Sequence, residues 1–158
     1  MFEKYNLIWI GANHSGNRVN VPRRISYAVL AHHFIEEKYV LNPERVYLSG
    51  FSGGGRVASM IAPYMPELFK GAIYNCGVNF WKDNPPKLIK ELRNNRFVFV
   101  TGKSDFNLKE TKMVHRQYKK SRVENSKLLI ISRMGHRNPR AKYFSQAIEY
   151  LDHDKTKL

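Results

Sequence analysis

Short apolar runs alternate along the chain with longer segments whose apolar positions recur at helical spacing. Five runs read as strands: 6–11, 45–50, 71–76, 96–101 and 127–132. Several are apolar at successive rather than alternate positions, as in "FVFV" and "LLII", the pattern of strands covered on both faces and paired in parallel. Helices are predicted between them, at 22–38, 53–62, 85–94, 108–121 and 139–151, with Pro22 and Pro139 suited to first turns. The order implies a three-layer α/β/α domain with a mostly parallel sheet of about five strands. No internal repeat or linker interrupts 1–158, which is expected to form a single domain. "KDNPPK" has the composition of a loop.

Composition narrows the class. A chain of 158 residues with 42% hydrophobic content is long enough to bury one sizeable core. No apolar run approaches the length of a membrane span, and the first residues lack the charged start and apolar stretch of a secretory signal. The expectation is a soluble protein, cytoplasmic by default and secreted if the N-terminus is incomplete. The single cysteine, Cys76, excludes an internal disulfide, and its apolar surroundings suggest a buried thiol.

The formal charge of +14 attracts anionic partners through the long-range field. Its location matters more than its size. Lys109, Lys112, Arg116, Lys119, Lys120 and Arg122 recur through one predicted helix, the pattern of a solvated face, and Lys155 and Lys157 fall in a polar tail. Zinc-finger spacing, an RNA-binding aromatic signature and leucine heptads are all lacking, so no specific nucleic-acid partner is expected.

The stretch "VYLSGFSGGGR" carries the most specific signal. "RVYLSG" is a strand, "FSG" a turn and "GGRVASMIA" the start of a helix, the setting of a G-x-S-x-G nucleophile elbow. A serine there stands on a sharp turn with its hydroxyl exposed, and Gly50 and Gly54 would let neighbouring backbone approach. The free N–H groups at the helix start, that of Gly53 among them, point where an oxyanion would form. An ordinary glycine-rich turn is the alternative for Ser52.

A serine nucleophile needs a base, and the base an orienting carboxylate. Asp105 follows "RFVFVTG" and His136 follows "KLLIISRMG", each just past the C-terminal end of a predicted strand, where open α/β sheets place their ligands. Asp83 lies farther from its strand and Glu110 inside a helix. His32, His33, His115 and His153 fall in helices or the tail. "TGKS" at 101–104 is not a Walker loop, because Phe97 stands where that motif requires glycine.

With these residues in view, the chain resembles the α/β-hydrolase superfamily, nearest the esterases related to polyhydroxybutyrate depolymerases and feruloyl esterases. The resembling segments are "RVYLSGFSGGG", "PELFKGAIYNCG", "VFVTGKSDFN" and "MGHR". The resemblance implies Ser52 as nucleophile, Asp105 as acid, His136 as base and the Gly53 amide as one oxyanion donor. It places Phe80 and Trp81 either beside the pocket or in the core. A small-molecule ester is the implied substrate, and neither metal nor organic cofactor is implied.

The chain departs from the family before the elbow, where one strand and one helix stand in place of a longer N-terminal part. In the family pattern the first strand here is the fourth, and three earlier strands are lacking. The third of these lies between the fourth and the elbow strand and is followed by the loop that donates the second oxyanion N–H, so the chain is either a fragment or its first strand has moved. A fragment is expected to have an open gap at the centre of its sheet and a tendency to self-associate. A moved first strand would instead bring the loop with Gly11, His14 and Gly16 toward Ser52. Three functions remain open on sequence grounds: a serine esterase, a weak or inactive remnant serving as a binding module, and a serine peptidase using the same triad.

Overall fold

The computed structural model describes residues 3–81, 86, 87 and 89–153. Lys155 and Lys157, Asp83 and most of "KDNPPK" lie outside the described residues. The chain divides into two compact units, Met1–Leu41 and Asn42–Leu158.

The first unit holds a short 3-10 turn, Glu3–Tyr5, and helix α1, Val21–Glu36. Asn20 caps α1 by accepting from the Arg23 amide at 3.0 Å, and Pro22 sits in the first turn, where its missing N–H costs nothing. The strand expected at 6–11 is not formed. An apolar run becomes a strand only when a neighbour takes its backbone hydrogen bonds, and 6–11 joins no ladder. Ile8, Trp9 and Ile10 remain about half exposed, and Asn6 adopts φ 48°.

In the second unit the other four predicted strands form: β1 (Tyr47–Phe51), β2 (Gly71–Asn75), β3 (Arg96–Gly102) and β4 (Ser126–Ile131). They pair in parallel in the order β1-β2-β3-β4, so the sheet has four strands rather than five. It carries no central gap: among the described residues no strand lies beyond β1, which forms one edge.

Helices α2 (Gly53–Ile61), α3 (Leu108–Lys120) and α4 (Ala141–Leu151) cover both faces. Gly50 and Tyr74 are register partners and point the same way; Gly50 meets the α2 backbone and Tyr74 hydrogen-bonds Tyr118 of α3. Gly71, of opposite parity, faces Leu151 of α4, and Tyr47 beside it donates to Asp152 at 2.8 Å. The three-layer expectation therefore holds.

The core beneath α3 is aromatic. Tyr74, Phe97, Phe99 and Tyr118 are fully buried, and Trp81 packs on Tyr118 with ring centroids 4.4 Å apart. Of the two residues placed beside either pocket or core, Trp81 belongs to the core; Phe80 is partly exposed. Two helix expectations need correcting. The described part of 85–94 contains only a 3-10 turn, Glu91–Asn94, and Pro139 precedes α4 instead of opening it, since Arg140 is its N-cap. The lysines and arginine of α3 are partly to largely exposed while Thr111, Val114 and Tyr118 face inward, as an amphipathic surface helix requires.

Candidate active site

Ser52 sits between β1 and α2 with φ 51° and ψ −116°, backbone that a non-glycine residue rarely adopts and that costs roughly 1–3 kcal/mol. Its neighbours hold it there. The Ser52 amide donates to the Asn75 carbonyl at 2.8 Å, and a Cβ on Gly77 would come within 2.3 Å of the Ser52 carbonyl oxygen. A Cβ on Gly50 would lie 2.2 Å from the Gly54 carbonyl carbon, so the strand and the helix cross with no room for a side chain. The second close approach comes from Gly55, not from Gly54 as the motif suggested: a Cβ on Gly54 meets nothing within 4 Å, whereas one on Gly55 meets the Gly77 carbonyl at 2.3 Å.

The strained turn brings the Ser52 hydroxyl to 2.9 Å from His136 Nε2, and His136 Nδ1 lies 2.9 Å from Asp105 Oδ1. These three residues come from the loops after β1, β3 and β4, all at the C-terminal edge of the sheet. The Asp105 side chain is fully buried, whereas that of His136 keeps 21% exposure, so the imidazole is the accessible member of the pair. Burial alone would raise the Asp105 carboxyl. Hydrogen bonds from Cys76, the Asn107 amide, His136 and Thr101 outweigh it and hold the group below the ordinary carboxylate range. An ionised carboxylate only accepts, so Nδ1 carries the proton and donates to Asp105, which leaves neutral Nε2 to accept from Ser52.

Around this line, Phe106 stacks on the His136 ring at 4.1 Å between centroids and Phe51 lies tilted against it at 5.0 Å. The two rings restrict imidazole rotation. Gly53 opens α2, and the first turn of a helix leaves its amides without intrahelical acceptors. Gly53, the residue after Ser52, is the first residue of that turn.

Cys76, Asp105 and His136 each present an atom to a common space, with all three within 4.8 Å of one another. Their chemistry suits hydrogen bonding better than cation binding. Burial, reinforced by the Asp105 carboxylate, pushes the Cys76 thiol up to about 12, so no thiolate is present at neutral pH, and its single S–H is shared between Asp105 and the Arg137 carbonyl, 3.5 Å from Sγ.

The structure adds a clamp that sequence reading missed. Arg56 of α2 pairs bidentately with Glu110 of α3 (2.6 and 2.8 Å) and donates to the Val78 carbonyl. Asn107 accepts from Arg56 and donates to the Cys76 carbonyl at 2.7 Å. One network thus joins the elbow helix, the turn after β2 and the acid loop. Its signal was faint: an asparagine two positions past the acid, and an arginine one turn into the elbow helix. Of the other histidines, His115 lies in α3 with Nε2 3.3 Å from the Ser126 carbonyl and its ring against Phe99, while His32 and His33 lie on α1 beside Glu36.

Comparison with known proteins supports this picture of the fold. Residues 27–84 match the family model described as the prolyl oligopeptidase family. No curated protein matches the chain. Among solved structures, Arabidopsis thaliana SOBER1 is similar, with a TM-score of 0.65 at 20% identity over 82% of this chain and 63% of that one. Zea mays acyl-protein thioesterase 2 gives a TM-score of 0.60 at 14% identity, over 83% of this chain and 64% of that one. The S-formylglutathione hydrolase FrmB of Staphylococcus aureus gives 0.54 at 18%, over 78% and 61%. The fold is that of the α/β-hydrolases. The chain spans 63% of the length of SOBER1.

Proposed function

We propose that the chain is a serine hydrolase acting on small carboxylic esters through an acyl-enzyme. The observation that carries this reading is the unbroken pair of 2.9 Å hydrogen bonds from Ser52 through His136 to Asp105. In this reading His136 Nε2 takes the hydroxyl proton as Ser52 Oγ attacks the ester carbonyl. The Gly53 amide stabilises the oxyanion, and His136 returns the proton to the leaving alcohol. Water then attacks the acyl-enzyme by the same route. Asp105 stays ionised throughout, fixing the tautomer and stabilising the imidazolium.

The match of residues 27–84 to a family described by its oligopeptidases favours amide hydrolysis as a second reading. Both readings use the same three residues, and a pair of chromogenic substrates separates them. With p-nitrophenyl butyrate and a matched peptide p-nitroanilide, the ester is expected to turn over much faster, and Ser52→Ala to abolish that turnover. Equal ester rates in Ser52→Ala and the parent protein would overturn the hydrolase reading, and faster anilide cleavage would favour the peptidase.

A further inference from the structure

The loop that carries His136 also borders an open, surface-facing pocket that the relay does not use, and Ser132, Arg133, Arg137, Asn138 and Arg140 on its wall are exposed. Its volume is about 190 Å³, and it lies between the end of β4 and the start of α4. Three arginines line it, Arg133, Arg137 and Arg140, together with Ser132, Asn138 and Tyr143; the rest of its wall is apolar. No carboxylate contributes to the wall, and among the described residues none of the three arginines forms an ion pair.

Three exposed arginines without an acidic partner on one pocket wall give it a locally positive potential that favours an anion. The arrangement is held in place. Arg133 adopts φ 57°, a left-handed conformation unfavourable for arginine, and the Arg137 guanidinium donates to the Arg133 carbonyl at 3.0 Å. Guanidinium forks match the oxygens of phosphate and carboxylate, and the side chains of Ser132, Asn138 and Tyr143 bring neutral donors to the same wall. An engineered cavity of about 150 Å³ holds a benzene ring, so the volume admits a group of five or six heavy atoms. α4 adds its N-terminal partial positive charge, since Arg140 makes no side-chain cap there.

We propose that this pocket binds a compact oxyanion, a phosphate or a carboxylate, either free in solution or carried by a substrate. Met134 and Arg137 flank His136 in sequence, and the Arg137 carbonyl accepts from Cys76, so an anion here grips both sides of the His136 loop.

Titrating the intact chain with inorganic phosphate, followed by ³¹P line broadening with chloride adjusted to constant ionic strength, tests the site without any turnover. The site therefore stands or falls separately from the hydrolase reading. Saturable binding is expected, weakened at least about tenfold in Arg133→Gln/Arg140→Gln. Lys109→Gln/Arg116→Gln on α3, which removes the same charge, should leave it within about twofold. Absence of saturable binding, or equal weakening in both double variants, overturns the proposal. The two sources are separated by the p-nitrophenyl esters of butyrate and succinate. Selective loss of succinate turnover in Arg133→Gln/Arg140→Gln identifies a substrate-borne oxyanion, and unchanged turnover of both, with phosphate binding lost, identifies a free one.

Discussion

Ser52 Oγ lies 2.9 Å from His136 Nε2 although 84 residues separate them in the chain. The parallel sheet accounts for the meeting. Each strand delivers its C-terminal end to the same edge, so loops after β1 and β4 converge across two intervening strands, and the loop after β3 supplies Asp105 between them.

On the proposed mechanism, replacing His136 should be far more costly than replacing His115. His136→Ala is expected to lower ester turnover by several orders of magnitude, whereas His115→Ala, whose ring packs on Phe99 away from Ser52, should leave it within a few-fold. Steady-state kinetics on the two variants, with circular dichroism to establish folding, makes the comparison; similar losses in both would point to a different base.

Asp105→Asn should leave the fold intact and lower kcat by about 10⁴-fold, because a neutral amide no longer selects the Nδ1–H tautomer. The same substitution should alter acid stability. The folded-state carboxyl titrates below its unfolded value, near 3.9 for aspartate, so its contribution is complete above that value and is lost as pH falls toward the folded one. Urea midpoints measured between about pH 6 and about pH 3 should fall more steeply for the parent protein than for Asp105→Asn. Parallel curves would mean that Asp105 is not stabilised in its charged form.

The glycines of the elbow separate cleanly. Gly50→Ala forces a Cβ to 2.2 Å from backbone that cannot yield, and should destabilise by at least about 3 kcal/mol or prevent folding. Gly54→Ala enters open space inside a helix and should be neutral or stabilising by up to about 1 kcal/mol. Chemical denaturation of both variants decides it. Equal destabilisation would mean that the crossing of β1 and α2 is not as tight as described.

Much of this was legible in the sequence because the signals are local. "FVFV" and "LLII" announce strands buried on both faces, and a glycine-flanked serine between strand and helix announces a sharp turn. Asp105 and His136 could be chosen from several acids and histidines because a parallel sheet puts strand ends, not helix interiors, beside one another. What escaped depends on partners distant in sequence. The run at 6–11 has strand composition, but composition cannot supply a neighbouring ladder. The motif points to Gly54, and only the close approach of the Gly77 carbonyl shows that Gly55 is the glycine with no room for a side chain. Arg56, Asn107 and Glu110 look like ordinary surface residues until α2 and α3 share one face of the sheet.

The central claim is that Ser52 is an activated nucleophile, and covalent labelling tests it without requiring the natural substrate. A fluorophosphonate added to the native chain should attach once, as read by intact mass, with peptide mapping placing the adduct on Ser52; Ser52→Ala should remain unlabelled and His136→Ala should react far more slowly. Folded protein that stays unmodified, or a label that survives in Ser52→Ala, would contradict the account.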